Sequence, residues 1–227
     1  MNEYLEAVGK WESTLCKEVD LASLYAQNSE AHKWKLLHRI YVLRELVAWR
    51  LVDLLKQAAL LAQQEMYIGS RILLRASIET LVLLIYSSQK MDAVVNTGQG
   101  FQELSDATSK LLLGSRNEMT KHQSINILTM IEKADKKHNG IMKMYGDLSE
   151  TTHPNWQGMS ATYSKIDVEN YKTEFCNNSQ ELFVGEQRPM MNYIMAIFES
   201  EYNQVWPASF NAFESWVGLN SKSLESE

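Results

Sequence analysis

The sequence predicts an all-α fold, and three observations support this prediction. The chain of 227 residues contains only 3 Pro and 10 Gly, too few for the turns of a β-sandwich or barrel of this length. Leu, Ala, Glu, Lys, Gln and Met, which favour helices, are plentiful. Apolar residues recur at helical spacing along most of the chain. We therefore expect a single helical bundle of about seven helices over residues 1–220, followed by a polar tail at 221–227.

The first three predicted helices follow from apolar spacing and from the breaks between them. The first runs from Tyr4 to about Ala26, and the second covers Glu30–Glu65, which contains neither Gly nor Pro. The segment Tyr67–Ser70 is expected to end it. The third helix runs from Arg71 to about Val95 and is apolar on most sides, as expected at the centre of a bundle. Its predicted core residues are Leu73, Ile78, Leu81, Val82 and Ile85.

Capping and stop signals divide the second half of the chain. The turn after residue 95 precedes a short helix at Phe101–Leu113. A capping box at the start of Thr120–Gly140 predicts the next helix, and Ile141–Thr152 forms another before a proline. Two final helices begin near Pro189 and Pro207.

The segment from Pro154 to Asn178 shows no convincing helical pattern. Twenty-five residues are long for a connection inside a compact domain. Such segments tend to be functional, mobile or covered by a partner. We therefore treat this segment as a candidate contact surface.

The net charge of -6 is unevenly distributed. Residues 110–143 hold 7 basic and 3 acidic side chains, whereas residues 1–109 hold 11 and 13 and residues 144–227 hold 4 and 12. The basic stretch is either a solvated helix face or a surface that faces phosphate. The acidic chain as a whole argues against tight non-specific binding of nucleic acid.

Several classes of protein are excluded by missing patterns. Cys16 and Cys176 cannot form a disulfide framework, and neither has a metal-ligand partner at suitable spacing. Acidic residues stand where a secretion signal needs a basic start, and the most apolar run, Thr80–Gln89, is about half a membrane span. A glycine-rich phosphate loop, a nucleophile elbow and a zinc-protease motif are all missing. We expect a cytoplasmic protein with no cofactor, no metal and no membrane contact.

Two predicted helices carry polar residues at a spacing of four, which aligns them on one face of each helix. They are Arg71, Arg75 and Glu79 on the third helix, and Tyr145, Ser149 and His153 on the helix before Pro154. Ser149 and His153 could act as nucleophile and base, although no acidic residue is evidently placed to orient the imidazole. The alternative is a structural cluster that joins two helices, with His153 as a C-terminal cap.

The motifs R-A-S-I-E (Arg75–Glu79) and Y-G-D-L-S-E-T-T-H-P (Tyr145–Pro154) resemble those of a bacterial family of helical proteins of unknown function. Through that family the chain resembles the HEPN superfamily (higher eukaryotes and prokaryotes nucleotide-binding). The resemblance covers about residues 30–155. It implies an all-helical, HEPN-like bundle, commonly dimeric, in a superfamily that includes toxin and antiphage ribonucleases.

The resemblance also implies two alternative Arg/His pairs. Ribonuclease members of the superfamily share an Arg followed by four to six residues and a His, and Arg116 and His122 match with five residues between them. Gly146–Leu148 stand where that Arg would precede His153, so the second pair would be Arg75 with His153. The His would take the proton of the 2′-hydroxyl and the Arg would stabilise the phosphorane, cleaving single-stranded RNA without a metal.

Two functions therefore remain open: a metal-independent endoribonuclease of a toxin or antiphage defence system, and a non-catalytic interaction or ligand-sensing module of such a system. We expect a homodimer, with RNA or a partner protein as the other binding candidates. Met and aromatic side chains crowd the last two helices and predict an association surface there. They are Met190, Met191, Tyr193, Ile194, Phe198, Trp206, Phe210, Phe213 and Trp216.

Overall fold

The computed structural model describes residues 1–115, 117 and 119–226, and it confirms a mainly helical fold with 75% helix and 4% strand. The α-helices are α1 (Asn2–Thr14), α2 (Leu21–Gln27), α3 (Ser29–His32), α4 (Lys35–Gln63), α5 (Tyr67–Thr97), α6 (Phe101–Leu113), α7 (Ile127–Asp135), α8 (Ile141–Thr152), α9 (Ser179–Phe183), α10 (Gln187–Ser200) and α11 (Trp206–Leu224). Two π-helical segments cover Trp156–Ala161 and Glu201–Val205, and the strands are β1 (Ser164–Asp167) and β2 (Lys172–Phe175).

The chain divides into two compact units, each built from three stretches. Unit 1 consists of Met1–Thr14, Trp49–Thr80 and Asp135–Ile197, and unit 2 consists of Leu15–Ala48, Leu81–Ala134 and Phe198–Glu227. Four of the five divisions fall inside helices, in α4, α5, α7 and α10, where the sequence has no linker. A single domain over residues 1–220 stays a prediction.

The buried apolar residues follow the helical spacing of the sequence. Ile78, Leu81, Val82 and Ile85 are at most 2% exposed, which confirms four of the five predicted core residues of α5. Leu73 is only half-buried, and the fully buried residue is its neighbour Leu74. Leu74 is the residue that shares a helix face with Ile78 and Leu81, four and seven positions further on.

The first two predicted helices are each divided in the structure. The first is interrupted between Thr14 and Leu21, where a side-chain cap begins a new helix, and the second is interrupted at residues 33–34. Asp20 Oδ1 accepts a hydrogen bond from the Ala22 N–H at 2.9 Å and caps α2. Asn28 Oδ1 accepts from the Ala31 N–H at 3.1 Å and caps α3. These short helices, together with α9, bring the described α-helices to eleven, against about seven predicted.

The predicted break at Tyr67–Ser70 is wrong, because α5 begins at Tyr67. The turn is made one step earlier by Glu65, whose φ of 59° is left-handed. Gly69 instead lies inside α5, where an added Cβ would be 3.0 Å from Leu61 Cδ1. The glycine therefore permits close packing of α5 on α4 within unit 1.

The predicted capping box at Thr120 is also wrong. Thr120 Oγ1 donates to the main-chain oxygen of Leu113, and the loop continues until α7 begins at Ile127. Asn126 Oδ1 accepts from the Leu128 N–H at 3.0 Å and supplies the local cap. The helix ends at Asp135 rather than at residue 140, and the Asp135 carboxylate accepts the N–H groups of Gly140 and Met142, where α8 begins. At the other end of the chain, α11 continues to Leu224, into the predicted tail.

The segment from Pro154 to Asn178, which was expected to lack helix, contains a π-helical segment and an antiparallel hairpin. Gly158 is required in the π-helical segment, since an added Cβ would lie 2.1 Å from the main-chain oxygen of His153. The hairpin turn is closed by Asp167, whose carboxylate accepts from the Asn170 N–H at 3.0 Å. Among the described residues, no helix combines the length and apolar character needed to cross a bilayer.

Candidate functional site

Within unit 1, α5 meets α8 through four polar side chains that we call the α5–α8 cluster: Arg75, Glu79, Tyr145 and Ser149. Arg75 Nε donates to Ser149 Oγ at 3.0 Å, and Arg75 Nη2 donates to the Tyr145 hydroxyl at 2.7 Å. The same Nη2 lies 3.1 Å from Glu79 Oε1. The Tyr145 hydroxyl donates to that carboxylate oxygen at 3.0 Å. The structure thus brings together four of the predicted site residues.

The hydrogen bonds of the cluster close on themselves. Ser149 Oγ donates to the main-chain oxygen of Tyr145 at 2.7 Å, so its proton is already engaged. Burial, followed by the hydrogen bond to Glu79, raises the pKa of Tyr145 and keeps the phenol neutral. Glu79 pairs with Arg75, so the positive charge that could bind phosphate is offset within the cluster. The cluster is well suited to holding two helices together.

Arg71 was predicted to lie with Arg75 and Glu79 on one face of α5, but it has different partners from those two residues. Its side chain is 1% exposed, and it forms an ion pair with Glu186. Its Nε donates to Thr151 Oγ1 at 2.9 Å and its Nη2 donates to the main-chain oxygen of Asp147 at 3.0 Å. The guanidinium carbon lies 4.5 Å from the centre of the Phe183 ring. Burial lowers the pKa of Arg71, and the carboxylate of Glu186 acts in the opposite direction.

His153 is the C-cap residue of α8, as one of the two predictions for it proposed. Its main-chain N–H donates to the main-chain oxygen of Ser149 at 3.1 Å, and Pro154 follows. The imidazole is exposed, and no hydrogen bond joins it to another described side chain. The hydrogen bonds of Arg75 all go to the α5–α8 cluster, so a direct Arg75–His153 pair is not formed.

The other predicted pair, Arg116 with His122, is only partly described. Arg116 lies outside the described residues, so its role with His122 stays a prediction. His122 lies in the loop before α7 in unit 2, beside an open cavity of about 660 Å³ lined by residues of 115–126. Its main-chain oxygen accepts from the Ser115 N–H at 2.9 Å. In the described part of the chain, no group of three or more His, Cys, Asp or Glu side chains could hold a metal ion.

A buried charged group in unit 2 was missed by sequence reasoning. Glu45 is 6% exposed and pairs with Arg44, and the Tyr202 hydroxyl donates to Glu45 Oε2 at 2.7 Å. The Arg44 guanidinium carbon lies 3.8 Å from the centre of the Tyr202 ring. Burial and the bond to Glu45 raise the pKa of Tyr202. The only signal in the sequence is a carboxylate inside the apolar stripe of α4.

The exposed apolar side chains are concentrated in residues 156–175, which we call the hairpin segment. Of twenty exposed large apolar residues in the described chain, seven belong to this segment. They are Trp156, Met159, Tyr163, Ile166, Val168, Tyr171 and Phe175. Tyr171 and Phe175 are 95% and 87% exposed. An exposed group of this kind is typical of a surface that binds another protein.

The last two long helices, by contrast, do not offer the predicted association surface. Seven of the nine Met and aromatic or aliphatic residues named for it are buried within the chain, and Tyr193 and Trp216 are half-buried. Stacking between Trp206 and Phe210, whose ring centres are 4.7 Å apart, shows how they fill the interior of unit 2. These side chains close the core, as apolar faces of helices commonly do.

Comparisons with protein-family models, with curated proteins and with solved structures found no match. The resemblance to the HEPN superfamily therefore stays a prediction based on the motifs in α5 and α8.

Proposed function

We propose that this protein is a non-catalytic interaction module and that the hairpin segment binds another protein. The observation that carries the proposal is the set of seven exposed apolar side chains at residues 156–175. Aromatic residues and Met are enriched at the centres of protein interfaces. The motifs of α5 and α8 make a toxin or antiphage defence system the setting that we propose for the module.

The hairpin holds these side chains on a folded frame. Strands β1 and β2 pair with Ser164 opposite Phe175 and Ile166 opposite Thr173, so these four residues lie on one face of the sheet. Ile166 is 70% exposed. A side chain already ordered by its backbone loses less entropy on binding than one in a flexible loop. The hairpin segment is therefore suited to recognition.

The chemistry of the α5–α8 cluster supports the same proposal. Arg75 is neutralised by Glu79, and both Tyr145 and Ser149 have their protons engaged. A ribonuclease needs a free cation for the phosphorane and an oriented base. The cluster instead satisfies the hydrogen-bonding groups of two packed helices, which is the structural alternative predicted from the sequence.

A metal-independent ribonuclease is the second candidate, and the exposed imidazole of His153 is the observation that favours it. An accessible imidazole could take the proton of a ribose 2′-hydroxyl. Incubation of the purified protein with single-stranded RNA in chelator tests this candidate. We expect no cleavage, and cleavage that is lost in His153→Ala or in His122→Ala would overturn the interaction module.

Site-specific photo-crosslinking tests the module directly. The full chain, expressed in its native cell, carries p-benzoylphenylalanine in place of Tyr171, which is 95% exposed in the hairpin. The matched control carries the same group in place of Tyr25, an exposed tyrosine of α2. We expect a discrete protein adduct from position 171 and none from position 25. An equal pattern from both positions, or no adduct from 171, would contradict the proposal.

A further inference from the structure

We infer that the partner of the hairpin segment is a second copy of this chain, bound through the outer edge of β2. This inference rests on the proposed function, since it names the partner of the same surface. The two copies would be related by a twofold axis and would join their hairpins into one four-stranded antiparallel sheet. Three features of the hairpin support this arrangement.

The first feature is an open row of main-chain hydrogen-bonding groups on β2. The Cys176 N–H donates to the main-chain oxygen of Tyr163 at 3.1 Å, so these two residues are a hydrogen-bonded pair. Hydrogen-bonded and non-hydrogen-bonded pairs alternate along antiparallel strands, which determines which residues of β2 bond to β1. In this alternation Lys172 and Glu174 bond to β1, whereas the N–H and C=O groups of Thr173 point away from it. No other described residue hydrogen-bonds to these groups of Thr173. All four residues of β2 are exposed, so a further strand can add there.

The second feature is that the corresponding edge of β1 is partly occupied. The Asn178 side chain donates to the main-chain oxygen of Ser164 at 3.2 Å, and this oxygen points away from β2. Strand β1 also contacts the π-helical segment Trp156–Ala161. Ser164 and Asp167 are accordingly half-buried. Of the two edges of the hairpin, β2 is therefore the more accessible one.

The third feature is that the charges of β2 select one register for pairing with itself. In antiparallel pairing, an outward-facing residue must lie opposite another outward-facing residue, which restricts the pairing to centres at Lys172, Thr173, Glu174 or Phe175. A centre at Phe175 pairs only that one residue of β2 with the partner's β2, so it forms too short a ladder. A centre at Lys172 places two lysines opposite each other, and a centre at Glu174 places two glutamates opposite each other. Like charges directly opposite are destabilising. A centre at Thr173 instead places Lys172 opposite the partner's Glu174, twice.

This register also continues the charge pattern of each hairpin. Within one chain, Asp167 lies opposite Lys172 and Lys165 lies opposite Glu174. Across the four strands the row then reads Asp167, Lys172, the partner's Glu174 and the partner's Lys165, with alternating sign. The twofold axis produces two such rows on the charged face. The opposite face brings Ile166 and Phe175 of both copies onto one sheet, which enlarges the apolar surface that each hairpin has alone.

Charge reversal in two separate variants tests the inference by sedimentation of the full-length protein. Lys172→Glu and Glu174→Lys each place like charges across the twofold interface, and we expect each to raise the dimer dissociation constant about tenfold or more. In a mixed dimer of the two variants, every introduced charge faces an opposite charge across the β2 edge. The mixture is therefore expected to return to a dissociation constant close to that of the unaltered protein.

Lys165→Glu is the matched control. It makes the same charge change and creates a like-charge pair within the hairpin, opposite Glu174, just as Lys172→Glu does opposite Asp167. It leaves both contacts across the β2 edge in place, so we expect its dissociation constant to stay within about threefold of the unaltered value. Equal weakening by Lys165→Glu, or no recovery in the mixture, would overturn the inference.

The failure of this inference and the failure of the proposed function give different results. A protein that sediments only at 26.1 kDa at every concentration overturns pairing with a second copy. If the crosslinker at Tyr171 then forms an adduct with a different protein, the interaction module stands with another partner. An adduct of twice 26.1 kDa, lost in Lys172→Glu, supports both. The absence of any adduct at Tyr171 counts against the module itself.

Discussion

Replacement of the buried Arg71 by Met is expected to destabilise the protein without exposing an orphaned charge. The methionine retains much of the aliphatic stem but removes every donor of the guanidinium. Thr151 Oγ1 and the main-chain oxygen of Asp147 each lose one hydrogen bond. The carboxylate of Glu186 loses its ion pair, but its side chain is 47% exposed and turns to water.

The magnitude follows from these losses. Neither oxygen is left without a hydrogen bond. Thr151 Oγ1 still donates to the main-chain oxygen of Leu148, and the Asp147 oxygen lies inside α8. Each lost hydrogen bond therefore costs about 1 kcal/mol. The lost contact with Phe183 adds about 1 kcal/mol. Relief of the desolvation of Arg71 offsets part of this sum, because removal of a buried cation returns the cost of dehydrating it. We expect a net loss of about 2 kcal/mol in the free energy of unfolding.

Thermal and urea denaturation of Arg71→Met and Arg188→Met provide the assay. Arg188 belongs to the same unit and lies 3.6 Å from Glu3, but both side chains are 63% exposed. Its replacement is expected to cost less than about 0.5 kcal/mol. For Arg71→Met we expect the melting temperature to fall by about 4–8 °C. Equal stability of the two variants would refute the conclusion that Arg71 anchors α5 to α8 and the segment around α9.

Three further predictions concern the cores and the hairpin. Leu81→Ala, at a position 1% exposed, should cost about 2–5 kcal/mol in chemical denaturation, and a cost below about 1 kcal/mol would contradict its burial. Phe175→Ser, at a position 87% exposed, should change the free energy of unfolding by less than about 0.5 kcal/mol while weakening association. Burial raises the pKa of Tyr145 and Tyr202 above the ordinary value of 10.0. Both phenols are therefore more readily kept neutral in the folded protein than in the unfolded chain. The stability that this contributes is fully present below pH 10 and is lost as the pH rises through the folded-state pKa. Denaturation above pH 10 should therefore show falling stability, with a shallower fall in Tyr145→Phe; an unchanged slope would contradict this account.

The α5–α8 cluster was predictable in large part. Arg75 and Glu79 are four residues apart, as are Tyr145 and Ser149, and this spacing alone aligns each pair on one helix face. A charged pair on an otherwise apolar helix also needs polar partners. Because Arg75 and Glu79 need polar partners, the helix with aligned Tyr145 and Ser149 was the expected packing partner of α5.

The hairpin could not be recognised in the sequence because its strands are only four residues long and each has three polar residues. Alternation over four residues is too short to distinguish a strand from an irregular loop. Similar reasons explain the misplaced helix ends. At Asp20 and Thr120 a side chain either caps a helix or bonds to a loop carbonyl, and the choice depends on where the neighbouring backbone lies.

The sequence by itself determined the helical class, the buried face of α5 and the alignment of the polar rows, because each of these depends on residues within four positions of one another. Tertiary structure alone decided the partners of those rows. Arg75 meets Ser149 across 74 positions, and Arg71 meets Glu186 across 115. Helical spacing carries no information about which distant segment will neutralise a buried charge, since that depends on how the helices pack. The tertiary structure also decided that the edge of β2 is exposed and that Asn178 lies against the edge of β1.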